Sequence, residues 1–337
     1  MIKLGVLYGG KSTEREVSKM SAKSVLNNLD KEKYEIYPIF IDENGNWFEE
    51  KNNKNEIDNI IEYLKKLDIV FPVLHGLWGE DGTIQGLFEI AGVKYVGCKV
   101  LSSSVGMDKA YTKIIFEKAK INQAKYVYVK KYKNNDYIYV DNNMDEKHIK
   151  IEELIDIIEN KLKYPIFVKP SNSGSSVGVN KCENKKELEK NIEEAFKYDN
   201  KILIEQGIIG KEVECAVLGN EEKGIEVTNP GEILPAGEYY SYNSKYNDQT
   251  SETLIDARIT NEQKEEIKKL AKKAFLAIDG NGLSRVDFFV ENTTNQIYIN
   301  EINTMPGFTE ISMYPKLFEK YGYDYKKLLD KIIEINL

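Results

Sequence analysis

Cysteine and histidine are scarce in this chain, with three Cys and two His among 337 residues. Cys98, Cys182 and Cys215 are odd in number, far apart and form no CxxC, which argues against a disulfide framework or a zinc site. His75 and His148 alone cannot build a His-rich metal centre. Basic charge is not in excess either: 47 Lys+Arg face 55 Asp+Glu, for a net charge of −8. There is thus no global positive field for nucleic acid, and an anionic ligand would need local cations and backbone amides. No stretch approaches the ~20 apolar residues of a membrane span. Met1 to Tyr8 enters a strand pattern directly, without the apolar region and small-residue cleavage site of a secretory signal. These absences point to a cytoplasmic protein that binds neither nucleic acid nor membrane.

What is present is a globular composition, 41% hydrophobic and 30% charged, at a length suited to two or three domains. Residues 2–8 read as a buried strand, Gly9 to Thr13 as a turn, and the next segment as a helix to about Leu29. Tyr34 to Ile41 and Ile69 to Leu74 read as further strands. Strand–helix–strand alternation predicts a parallel sheet with crossover helices, in a first unit spanning 1–98. In a second unit, 99–203, Ser102 to Ser104 are placed to cap a helix through Lys120. Strands follow at Tyr126–Tyr132, Tyr137–Val140 and Pro165–Lys169, with helices at Ile149–Lys163 and 184–198. A strand at Lys201–Glu205 leads into a third unit, 204–337. It carries strands near 212–218 and 224–228, a polar tyrosine-rich loop at 238–252, a helix over about 261–279, and two strands flanking a turn at 291–296. The fold class is α/β (α+β).

The strongest chemical pattern is Ser284-Arg285-Val286-Asp287, a turn, then Asn300-Glu301-Ile302-Asn303. Side chains alternate faces along a strand. Arg285 and Asp287 therefore share one face, as do Glu301 and Asn303, and a hairpin about the turn sets Asp287 near Glu301. Hard oxygen ligands without His or Cys suit Mg²⁺. A solvated hairpin face would carry similar charges; the same-face arginine and the following Asn303-Thr304-Met305-Pro306-Gly307 loop favour the metal.

Lys169-Pro170-Ser171-Asn172-Ser173-Gly174-Ser175-Ser176-Val177-Gly178 ends a short apolar strand. Small residues let backbone N–H groups wrap a phosphate, and Lys169 could add a point charge. Lacking GK[ST] and a following helix, it is not a Walker A loop. Gly/Ser richness alone would suggest a surface loop; the strand with its terminal lysine favours phosphate. His75-Gly76-Leu77-Trp78-Gly79-Glu80-Asp81-Gly82 lies at a carboxyl strand end, where α/β sheets bind ligands. For Glu80 and Asp81 a plain turn with Thr83 as helix cap is an equal alternative. Glu14, after the Gly9-Gly10 turn, could complement a helix dipole or bind a substrate ammonium. The tyrosine-rich loop could pack on the surface or act as a lid.

Taken in order, these segments resemble the D-alanine–D-alanine ligase family of the ATP-grasp group. The resemblance runs from Leu4 to the C-terminus and rests on HGxxGEDG (75–82), KPxxxGSSxG (169–178) and RxD…ExNTxPG (285–307). It implies a three-domain ATP-grasp architecture. It implies that Lys109 and Lys169 contact ATP phosphates, with Ser175 and Ser176 closing over them. Glu205 would face the adenine amino group beside Gln206 and Ile208, and Glu212 would hold the ribose. Asp287, Glu301 and Asn303 would bind two Mg²⁺ ions, with Mn²⁺ able to substitute. Glu14, with Val17 and His75 nearby, would receive the first substrate. Glu14, Ser175 and Tyr246 would form a hydrogen-bonded triad beside Lys245. Arg285 and Gly307 would face the reacting carboxyl, and Ser312 would help hold the second substrate's carboxylate. Ser173 departs from the larger residue found there in many relatives.

The implied reaction joins two D-alanine molecules at the expense of ATP, through a D-alanyl phosphate, for peptidoglycan precursor synthesis. A homodimer is also implied. Rival readings are a D-serine or D-lactate second substrate, or an ATP-binding relative without turnover. No histidine occurs between 238 and 252, where a depsipeptide-forming relative is expected to carry one.

Overall fold

The computed structural model describes residues 1–51, 54–133, 136–234 and 252–337. Three six-stranded sheets organise it, each following the previous one along the chain.

The first sheet holds β1 (Ile2–Gly9), β2 (Tyr34–Ile41), β3 (Trp47–Glu49), β4 (Asn55–Glu56), β5 (Ile69–Pro72) and β6 (Lys94–Tyr95), in the order β4-β3-β2-β1-β5-β6. Its centre is parallel, β2-β1-β5-β6, as strand–helix alternation predicts. The near-continuous apolar run of β1 has a plain cause: both faces are covered. Leu4 and Val6 pack with Ala22 and Val25 of α1 (Arg15–Asn28), while Leu7 packs with Ile84 and Phe88 of α3 (Thr83–Ala91). The short α2 (Ile60–Leu64) joins that second face.

The second sheet is antiparallel: β7 (Tyr126–Lys131), β8 (Tyr137–Val140), β9 (Glu146–Ile149), β10 (Ile166–Pro170), β11 (Asn180–Cys182) and β12 (Lys201–Gln206), ordered β11-β10-β12-β7-β8-β9. Period-two alternation sorts its faces. Ile166, Val168, Ile202 and Ile204 pack against α6 (Ile151–Lys161) and α7 (Lys185–Ala195). Lys169 and Glu205 consequently fall on the opposite face.

The third sheet holds β13 (Gly210–Asn220), β14 (Gly224–Val227), β15 (Gly231–Leu234), β16 (Glu252–Leu254), β17 (Gly282–Glu291) and β18 (Ile297–Asn303). Val213, Cys215, Val286 and Phe288 pack under α8 (Asn261–Ala277), whose start carries a capping box between Thr260 and Gln263. Glu212, Glu214, Arg285 and Asp287 alternate to the other face. β17 and β18 form the expected hairpin, with Asp287 opposite Glu301 and Arg285 opposite Asn303. A bulge follows, because Phe288 pairs with Ile299 and skips Asn300. Finally α9 (Met313–Tyr321) and α10 (Tyr325–Asn336) join a core shared by the first and third sheets, and Phe308, ahead of α9, meets Phe71 edge-on at 5.4 Å.

One expected helix is divided. Instead of running from Ser102 to Lys120, the segment makes α4 (Val100–Met107) and α5 (Lys109–Lys118). Asp108 breaks it with extended backbone and caps α5 by accepting from Tyr111 N–H; Ser102 to Ser104 lie inside α4. Likewise Thr83 begins α3 rather than capping it. Gly82, left-handed at φ 89°, precedes the helix, and Asp81 accepts from Thr83 N–H at 2.9 Å. No helix among the described residues is long and apolar enough to cross a membrane.

Candidate active site

The carboxyl end of β1 opens into a polar cavity shared by all three sheets. Glu14 precedes α1 without capping it. Its carboxylate accepts instead from the Ser175 hydroxyl, which arrives from the Gly/Ser loop after β10. Gly76 and Gly174 pack against Glu14 so closely that a Cβ on either would collide with its Oε2. The expected Glu14–Ser175 pair is therefore present; its third member, Tyr246, and Lys245 lie outside the described residues.

His75 is 4% exposed and bridges two segments. Its Nδ1 lies 3.2 Å from Met305 O, an acceptor, so Nδ1 carries the proton. Nε2 then accepts from Ser21 Oγ at 3.0 Å, and Ser21 accepts from Phe308 N–H at 3.2 Å. Burial lowers the His75 pKa and keeps the ring neutral, as this chain requires. Glu80 accepts from Gly76 N–H at 2.9 Å. Burial, then the neighbouring Glu14 charge, pushes its carboxyl up to about 8. Val17 is buried on α1 and is not among the cavity-lining residues. Gly307 and Ser312 do line it, and Ser312 Oγ accepts from Thr309 N–H at 3.0 Å.

Arg285 enters the same cavity from β17. It grips Asp287 with two parallel hydrogen bonds, 2.8 and 2.7 Å, and pairs with Glu214 at 3.1 Å. Burial opposes its charge, but Asp287 and Glu214 outweigh that and hold the guanidinium well above its ordinary pKa. Asn303 Nδ2 donates to Asp287 at 3.0 Å. Glu301 and Asn303 line the cavity, whereas Asp287 sits behind them, 2% exposed. The set is two carboxylates and one amide, as the strand pattern implied. Hard oxygen donors of this kind fit Mg²⁺.

An adjoining cleft lies between the second and third sheets. Lys109, Lys169, Ser175, Ser176, Glu205, Gln206, Ile208 and Glu212 all line it, so every expected nucleotide residue converges there. Ser175, Ser176 and Gly178 have φ of 48°, 59° and 75°, a turn backbone of the kind that can present N–H groups to an anion. Lys109 Nζ ties this loop by donating to Ser173 O at 2.7 Å and approaches Glu301 at 3.4 Å. Lys169 Nζ pairs with Glu205 at 2.5 Å.

Sequence reading missed Lys113 and Glu214. Lys113 lies four residues after Lys109, hence on the same face of α5, and ion-pairs with Glu205. Glu214 lies two after Glu212, hence on the same face of β13. Both spacings were available signals.

Family models described as D-ala D-ala ligase N-terminus and D-ala D-ala ligase C-terminus match residues 3–98 and 115–334. A D-alanine--D-alanine ligase of Clostridium acetobutylicum is 49% identical over 99% of this chain and 97% of its own length. A D-alanine--D-alanine ligase B of Clostridium tetani is 48% identical over 99% of this chain and 93% of its own. Among solved structures, the VanG D-Ala:D-Ser ligase of Enterococcus faecalis matches with a TM-score of 0.86 at 35% identity, covering 100% of this chain and 99% of that one. The D-alanine--D-alanine ligase of Bacillus anthracis matches with a TM-score of 0.79 at 32% identity, covering 100% and 97%.

Proposed function

The chain belongs to the D-alanine–D-alanine ligase family, and from that premise we propose how its residues join two D-alanine molecules with ATP. One D-alanine carboxylate oxygen attacks the γ-phosphorus of ATP, releasing ADP and leaving D-alanyl phosphate. The amine of a second D-alanine attacks the acyl carbon, loses a proton, and expels inorganic phosphate, leaving D-alanyl-D-alanine. No side chain forms a covalent intermediate. Positioning and electrostatics carry the catalysis, as in other phosphoryl transfers.

The observation that carries this reading is the meeting of two sites: the polar cavity holding Glu14 and Arg285 opens beside the cleft holding Lys109 and Lys169, with Ser175 and Glu301 in the walls of both. A carboxylate bound at the first can therefore reach a phosphate bound at the second. Glu14 suits the first ammonium and Ser312 the second carboxylate. Arg285 suits the oxyanion on the reacting carboxyl. Lys109, Lys169 and the 174–178 cradle suit the phosphates. Asp287, Glu301 and Asn303 would hold Mg²⁺, which when bound offsets charge on the transferring phosphoryl group. For Asp287 this requires sharing an oxygen that Arg285 and Asn303 now engage. Use of ATP supports a cytoplasmic location, and the family resemblance supports a homodimer and a division into an N-terminal α/β substrate-binding domain at 1–98 and two ATP-grasp subdomains at 99–203 and 204–337.

Phosphate release with D-alanine alone, and with D-serine or D-lactate added as second substrate, tests the assignment. D-alanine alone should sustain turnover. Turnover that requires D-serine would move the chain toward the specificity named for the Enterococcus faecalis relative.

A further inference from the structure

Lys113 is 2% exposed at the back of the nucleotide cleft. Its Nζ ion-pairs with Oε1 of Glu205, itself 4% exposed, while Lys169 takes Oε2 at 2.5 Å. One carboxylate thus has two ammonium partners. They differ in placement: the side chain of Lys113 is 3% exposed and that of Lys169 is 16% exposed. If Lys169 turns to the phosphates when nucleotide enters, Lys113 remains as the cation on Glu205. A lysine held this far from water is costly unless it is paired. Its placement needs a reason beyond packing.

We propose that Lys113 is a positioning residue that keeps Glu205 ionised while nucleotide is bound, so that adenine is accepted and a 6-oxopurine is rejected. This rests on the reading above, with the base against Glu205. A carboxylate offers only acceptors, which match the adenine 6-amino group and repel a 6-oxo group. A protonated carboxyl offers a donor, and the preference contracts. Lys113 from α5 and Lys169 from β10 face Glu205, as does Tyr126, its partner on β7. Elsewhere in the cleft wall, Glu212 from β13, Glu232 from β15 and Glu301 from β18 carry charge that favours the proton, while Lys109, Lys181, Lys211 and Arg258 carry charge that opposes it. Burial also favours the proton, but Lys113 and then Lys169 outweigh it and hold the carboxyl down at about 2.

The test measures dissociation constants of ATP and ITP from the full-length protein by calorimetry between pH 6 and 9. Wild type should bind ATP with little pH dependence and discriminate against ITP. K113M should weaken ATP at least tenfold at pH 6, recover as pH rises, and contract the ATP/ITP ratio at least tenfold at low pH. In an E205Q background the amide oxygen accepts without ionising, so adding K113M should change that ratio less than twofold. K113Q, uncharged but polar, gives the same comparison if K113M does not fold. Equal weakening of ATP and ITP at every pH, or no change in either, overturns the proposal. Failure of wild type to bind ATP would instead overturn the functional reading.

Discussion

Arg285 and Asp287 lie two residues apart on one face of β17 and share two parallel hydrogen bonds of 2.8 and 2.7 Å. A bidentate pair fixes the guanidinium plane as well as its charge. Glu214 approaches the same Nε at 3.1 Å. The arginine is therefore aimed before substrate arrives, which is what oxyanion stabilisation demands.

R285K keeps a cation between Asp287 and Glu214 but loses the fork. It should remain folded and lose about 10²–10³ in kcat, the usual effect of one missing oxyanion donor. R285A should in addition unfold more easily, by roughly 3–5 kcal/mol, because two buried carboxylates lose their partner. Steady-state kinetics and urea unfolding check both expectations; normal kcat in R285K would remove Arg285 from the reaction.

A methyl group at residue 174 would intrude on Glu14 Oε2. G174A should separate Ser175 from Glu14 and lower kcat/KM for D-alanine at least tenfold. Its thermal midpoint should move little, since the loop between 171 and 179 lies outside the apolar cores. Unchanged kcat/KM would show that the Glu14–Ser175 contact is incidental.

Much of this site was legible in advance because period-two alternation is geometric. Arg285, Asp287, Glu301 and Asn303 had to share a face once the turn at 291–296 was recognised, and the bulge at Asp287/Phe288 falls just beyond the pairing that matters. The apolar run of β1 likewise announced a strand covered on both faces. Short strands were harder. β3, β4, β6, β9, β15 and β16 have two to four residues each, too few for a period to emerge. The α4/α5 break escaped although Asp108 caps α5 locally through Tyr111 N–H; the contacts that hold its extended backbone in place, to Ser171 and Lys201, lie 63 and 93 residues away. The i, i+4 spacing from Lys109 marked the face of Lys113, but its partner Glu205 was out of reach because only the fold brings β12 against α5.

Glu80 gives stability a pH signature. Its pKa rises from an ordinary 4.5 to about 8 in the folded protein, chiefly through burial and then through Glu14. A raised carboxyl stabilises the fold in its protonated form, so the contribution is full below about pH 4.5 and lost as pH climbs through 8. The thermal midpoint of wild type relative to E80Q should fall across pH 5–8 and level off above 9. A difference that is flat with pH would mean that Glu80 ionises normally.

Phe308 follows the 305–307 loop and is fully buried against Phe71. F308A should cost about 3–5 kcal/mol in urea unfolding. It should also raise KM for D-alanine, because without the ring the backbone at 308, whose N–H anchors the Ser21–His75 chain, is free to shift. A stability loss with unchanged KM would confine Phe308 to packing.

The central claim is that a D-alanine carboxylate oxygen becomes bonded to the γ-phosphorus before the peptide forms. Carboxyl-¹⁸O D-alanine with ATP and Mg²⁺, followed by mass spectrometry of the products, reads this directly. One ¹⁸O should appear in each released phosphate, with its loss from the acyl half of D-alanyl-D-alanine. Dipeptide accompanied by unlabelled phosphate, or ADP formed without dipeptide, would contradict the account.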